Sequence, residues 1–94
     1  MTDYKFDGKG LRTRSGNKVA EVDGKYIRDA SGNRIGEIDG QYIRDGRGNR
    51  VAQFDGDYIR DSSGSRLGEI KDVHKVIDGV GGMSLVALWV LCVR

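Results

Sequence analysis

The chain has 94 residues, 16 basic and 14 acidic side chains, and a formal net charge of +2. That length makes one domain with a limited core, and so balanced a charge lacks the concentrated positive field of a dedicated nucleic-acid binder. Fifteen glycines and no proline leave the tight turns to glycine, and a lone cysteine, Cys92, rules out an internal disulfide.

The first residues, Met1 to Asp7, are charged and contain no apolar h-region. They do not read as a secretory signal, and with the single cysteine they lead to the expectation of a cytoplasmic protein. Phe6 stands as though it closed an earlier, truncated unit.

Residues 7–70 are four uninterrupted copies of a sixteen-residue unit. Copy one, 7–22, reads DGKGLRTRSGNKVAEV; copy two, 23–38, reads DGKYIRDASGNRIGEI. Copy three, 39–54, reads DGQYIRDGRGNRVAQF, and copy four, 55–70, reads DGDYIRDSSGSRLGEI. Copy one diverges most, with Gly10-Leu11 where the others have Tyr-Ile. Each copy carries an Asp-Gly pair, a strong hairpin signal because both turn residues can adopt positive φ. Each also carries a second turn around Gly16, Gly32, Gly48 or Gly64, with the pattern of a type I turn closed by a left-handed glycine. Two short strands per copy follow, about eight in all, because glycine recurs too often for a helix.

In copy two, taking Ala30-Ser31-Gly32 as the loop sets Arg28 opposite Arg34, Ile27 opposite Ile35, Tyr26 opposite Gly36 and Lys25 opposite Glu37. This register puts Gly36 and Gly68 under Tyr26 and Tyr58, so that enlarging either glycine would displace a ring. It also leaves apolar residues on both faces. The Arg28-Arg34 pairing of like charges requires an acidic group or an anion nearby. One hairpin is barely stable in water, so four of them must bury a shared apolar stripe. A sixteen-residue period is too short for a propeller blade and suits one hairpin per repeat around a pseudo-fourfold axis. The alternatives are an open meander, which would need protected edges, and a spiral of the kind YD-repeat shells make.

The repeated D-G-x-Y-I-R-D-x-x-G-N-R-I-G-E-I pattern followed by an apolar carboxy-terminal segment resembles the four-fold β-flower family of small bacterial proteins. The resemblance covers residues 7–70 and implies hairpin petals around a central axis. It brings no activity or binding residues with it.

After Ile70 the repeat drifts, and residues 71–82 read as a linker ending in the joint Gly79-Val80-Gly81-Gly82. Residues 83–93, MSLVALWVLCV, are almost entirely apolar. They are too short for a helical membrane span and well sized for a core segment. A helix that Ser84 could cap is expected there, packed on the repeats, although Val86, Val90 and Val93 would also suit a strand; an oligomer interface and a membrane contact are the alternatives to packing.

Arg28, Arg44 and Arg60 recur once per repeat, flanked by Tyr26, Tyr42 and Tyr58. They are the candidate contacts for a partner or an anion, although Asp and Glu recur beside them and suggest a solvated ion-pair lattice. The spacing Asp29-x-Ser31-x-Asn33 has alternate oxygens, but Arg34 and Gly40 stand where a calcium loop needs Gly and Glu. Gly79-x-Gly81-Gly82 lacks the Lys-Ser/Thr of a phosphate loop. His74 and Cys92 form no metal set, and no nucleophile stands with a base. The sequence thus predicts one mainly β domain, 1–94, without catalytic, cofactor or metal residues. Its expected role is a non-enzymatic binding or structural module, with a protein partner or self-association possible. The alternatives are a membrane-associated protein held by its apolar carboxy terminus and an anion or nucleic-acid binder acting through the arginines.

Overall fold

The computed structural model describes residues 2–79 and 82–93. The strands run in chain order β1 (Tyr4–Phe6), β2 (Gly10–Thr13), β3 (Lys18–Asp23), β4 (Tyr26–Asp29), β5 (Arg34–Asp39), β6 (Tyr42–Asp45), β7 (Arg50–Phe54), β8 (Tyr58–Asp61) and β9 (Arg66–Glu69). Helix α1 (Ile70–Val76), strand β10 (Ile77–Asp78) and helix α2 (Met83–Leu88) follow, and α2 widens into a π-helical turn over Trp89–Val93. The repeats supply eight strands, as expected. All ten form one sheet, in the order β10-β1-β2 and onward to β9.

The second turn of each copy is the expected three-residue loop. In copy two the Asp29 N–H donates to Asn33 O at 2.8 Å and the Gly32 N–H to Asp29 O at 3.0 Å, with Gly32 at φ 92°. The Asp-Gly turn is not the expected one. Asp23 pairs with Tyr26 and Asp39 with Tyr42, so the loops are Gly24-Lys25 and Gly40-Gln41. Glycine at φ 63° comes first and no described non-glycine residue has positive φ, which is the type II′ pattern. Asp23 and Asp39 stay in their strands.

The register also needs correcting. Arg28 does face Arg34, but Ile27 faces Gly36 and Tyr26 faces Glu37, because a bulge leaves Ile35 without a partner. The same shift recurs in every copy, at Val19, Val51 and Leu67. A regular strand sends residues three apart to opposite faces. The extra residue lets Ile35 and Ile38 both pack toward the core, and it bends and twists the strand. The sheet therefore has one apolar face instead of two.

At the centre of that face Leu11, Ile27, Ile43 and Ile59 are fully buried, one from each copy. Ala20, Gly36, Ala52 and Gly68 stand opposite them. Leu85, Val86, Ala87 and Leu88 of α2 are also fully buried in this core. The carboxy-terminal segment is thus packed on the repeats, as its length suggested, and is the expected helix, not a strand. The helix starts at Met83 with Gly82 as its N-cap, not at Ser84. The shortest dimension, 18 Å, is that of a sheet with one helical layer laid on it.

The expected linker is structured. Asp72 of α1 accepts a hydrogen bond from the Glu69 N–H at 2.9 Å, fixing the helix start. β10 then pairs in parallel with β1, Tyr4 against Ile77. Helix α1 thus joins the two edge strands, which limits exposed edge. Val80 and Gly81 of the expected joint lie outside the described residues.

Gly36 and Gly68 are small for the sake of the helix, not of the tyrosines. A Cβ on Gly36 would lie 2.3 Å from Leu91 Cδ1 and 2.9 Å from Arg44 O; one on Gly68 would meet Asp72 Oδ2 and Trp89 Cη2, each at 3.2 Å. Gly36→Ala is expected to destabilise the protein by about 1–3 kcal/mol through overpacking. Combining it with Leu91→Ala should cost less than the sum of the two, by at least ~0.5 kcal/mol. Urea unfolding of the single and double variants reads this; strictly additive costs would mean that Leu91 does not lie on Gly36.

Candidate functional site

With Ile27 turned inward, strand alternation sends Tyr26 and Arg28 to the outer face. Each arginine of the expected set is engaged there. Arg28 donates from Nε to Asp23 Oδ2 at 3.1 Å and from Nη1 to Gly32 O at 3.0 Å. Arg44 repeats this with Asp39 at 3.1 Å and Gly48 O at 2.9 Å. Arg60 reaches Gly64 O at 3.2 Å and approaches Asp55 at 3.7 Å. Each arginine fastens the glycine loop at one end of its hairpin and the aspartate at the other.

The second arginine row covers the tyrosines. The guanidinium of Arg34 lies 3.8 Å from the Tyr26 ring centroid, Arg50 lies 3.5 Å from Tyr42, and Arg66 lies 4.0 Å from Tyr58. These distances fit cation–π stacking. The facing arginines thus answer the like-charge problem separately: Arg28 turns to a carboxylate and Arg34 to a π-face.

Beside Tyr26 and Tyr42 a further pair crosses the hairpin, and its chemistry differs from copy to copy. Lys25 pairs with Glu37 at 3.4 Å. Copy three has an amide pair instead, Gln53 Nε2 to Gln41 Oε1 at 3.3 Å. Copy four places Asp57 and Glu69 at these positions, and Lys71 neutralises Glu69 at 3.3 Å.

The aspartates act as turn clamps. Asp29 Oδ1 accepts from the Ser31 and Asn33 amides, both at 2.9 Å, and Asp45 and Asp61 take the same amides of their own loops. The Asp29 carboxylate of Asp29-x-Ser31-x-Asn33 is therefore turned to its own loop. Among the described residues no three His, Cys, Asp or Glu side chains converge as a metal group. His74 is exposed on α1. Cys92 is half-buried, and burial pushes its thiol up. Gly79 packs against β1, where a Cβ would lie 2.6 Å from Phe6 O.

Copy one differs, because Gly10 replaces the tyrosine and Lys18 the covering arginine. A cavity of about 160 Å³ opens at that place, lined by Asp7, Lys9, Gly10, Arg12, Lys18 and Glu21. Lys18 bonds Glu21, and Lys9 approaches the same carboxylate at 3.8 Å. The Gly10 substitution is plain in the sequence. Its consequence was not, because the bulge-free register set Gly10 against Ala20, whereas it faces Glu21. A scan against protein-family models, a search of curated proteins and a search of solved structures each find no match to this chain.

The clamps have a pH signature. Amide donors hold Asp29, Asp45 and Asp55 below the ordinary aspartate value of 3.8, chiefly those of Asn33, Asn49 and Tyr58. The Ser63 hydroxyl does most of this for Asp61. A carboxyl lowered on folding stabilises fully above its unfolded value, and the effect is lost as pH falls through the folded value. Melting temperature should therefore be flat from neutral pH to about pH 5 and fall below about pH 4. Asp29→Asn with Asp45→Asn should flatten that acid limb in thermal melts; an unchanged limb would assign it to other groups.

Proposed function

We propose that the chain is a non-enzymatic structural or binding module of the bacterial four-fold β-flower type, its four hairpins set around a pseudo-fourfold axis. One observation carries this reading: the repeated polar side chains are already engaged inside their own hairpins. Arginines hold aspartates and glycine carbonyls, aspartates hold turn amides, and the second arginine row holds tyrosine rings. Residues that recur for this purpose build a scaffold. A protein partner would then meet the outer face, where Arg28, Arg44 and Arg60 lie beside Tyr26, Tyr42 and Tyr58.

The polyanion reading has less support, since Asp23, Asp39 and Asp55 already take the arginine charges. The membrane reading is weakened by the burial of Leu85 to Leu88; among the described residues no helix is long and apolar enough to cross a membrane.

The triple variant Arg28→Ala/Arg44→Ala/Arg60→Ala separates these readings. A scaffold role predicts a melting point lowered by a few degrees and no salt-dependent shift of labelled single-stranded DNA in a gel, with either protein. Salt-dependent binding by the native chain, abolished in the variant while its melting point stays unchanged, would overturn it.

A further inference from the structure

We propose that the outer face of the first repeat is a receptor for one tyrosine side chain supplied by a partner protein, seated where the other three repeats hold a tyrosine of their own. The proposal gives a ligand to the binding half of the function proposed above and rests on it. The scaffold half is tested separately by the arginine variant.

The six lining residues are, position for position, those around Tyr26, with the tyrosine removed and a lysine in place of the stacking arginine. Asp7, Lys9, Gly10, Arg12, Lys18 and Glu21 correspond to Asp23, Lys25, Tyr26, Arg28, Arg34 and Glu37. In copy two the cations stand 3.8 Å (Arg34) and 5.4 Å (Lys25) from the ring centroid, and Lys25 is held to Glu37. In copy one Lys18 and Lys9 occupy these positions and are held by Glu21. Both cations thus border a space that contains no ring, although Lys18 bonds Glu21 where Arg34 of copy two lies on a tyrosine. Its volume is about 160 Å³.

The backbone is suited to a ring as well. Asp7 Oδ1 accepts from the Lys9 and Gly10 amides at 2.9 and 2.7 Å, and the Asp7 N–H donates to Gly10 O at 3.2 Å. The turn of copy four is the same, with Asp55 Oδ1 on the Asp57 and Tyr58 amides at 3.1 and 2.9 Å and the Asp55 N–H on Tyr58 O at 3.2 Å. That turn carries Tyr58. Gly10 has no positive φ, and a Cβ there would meet nothing closer than 3.9 Å. Nothing in the backbone demands glycine at this position, and its effect is to leave the site open. An incoming tyrosine would place its π-face against Lys18 and its hydroxyl toward Lys9, with Arg12 and Asp7 at the rim.

The test is an amide-resolved NMR titration of the full chain with p-cresol, the tyrosine side-chain analogue, and with acetyl-Gly-Tyr-Gly-amide. Saturable shifts in the millimolar range are expected, centred on Lys9, Gly10, Lys18 and Glu21. The saturated analogue 4-methylcyclohexanol should bind about two- to fivefold more weakly, the factor corresponding to an exposed cation–π contact of about 0.5–1 kcal/mol. Gly10→Tyr should fold, melt higher than the native chain and lose these shifts. Tyr42→Gly should gain a second set, at Gln41, position 42, Arg50 and Gln53. Absence of saturable shifts at copy one, equal binding of the saturated analogue, or a Gly10→Tyr chain that fails to fold would each overturn the proposal. Binding of p-cresol without binding of the peptide would overturn the assignment to a protein partner.

Discussion

A hairpin sheet with one apolar face has to cover that face, and here the cover is residues 83–93 of the same chain. Leu11, Ile27, Ile43 and Ile59 are each fully buried, as are Leu85 and Leu88. Full burial of such a side chain contributes about 1.5–3 kcal/mol, whereas one isolated hairpin is barely stable. The shared core therefore makes four marginal units into one folded domain. The bulges are the local device that allows it. They put both apolar residues of β3, β5 and β7 on the inner side and bend the sheet.

Once the inner face is assigned, the outer face becomes a problem in charge. The bulged register sets arginine against arginine, and the chain answers with two kinds of acceptor, a carboxylate for one and an aromatic face for the other. Each pair gains little at an exposed site. Repetition matters more, because the same small set of contacts fixes the turns at both ends of successive hairpins. Copy one keeps the charges and omits the ring, and the outer face opens there.

Much of the fold was legible in the residues. The sixteen-residue period gave the strand number, the Ser-Gly-Asn segments gave the three-residue loops, and the length of 83–93 gave a segment packed in the core, which left helix or strand open. The bulge was missed, although Ile35 and Ile38, three residues apart and both apolar, could share a face only through an inserted residue. That one omission moved Gly36 from Ile27 to Tyr26 and misassigned the reason for its size. Helix α1 and strand β10 were missed for another reason. Their sequence has modest propensity, and their order comes from the Asp72 cap and from parallel pairing with β1, at the far end of the chain. Of the site residues, Arg28, Arg44 and Arg60 were visible as a repeated set, but their partners depended on the register.

The most direct test of the account is cooperative urea unfolding of the full chain beside a chain ending at Gly82. If the carboxy-terminal helix is the cover that joins the four hairpins into one core, the full chain shows a single sharp transition and the shortened chain shows none. A shortened chain that unfolds cooperatively at the same midpoint would mean that the repeats are stable by themselves, and would contradict the account.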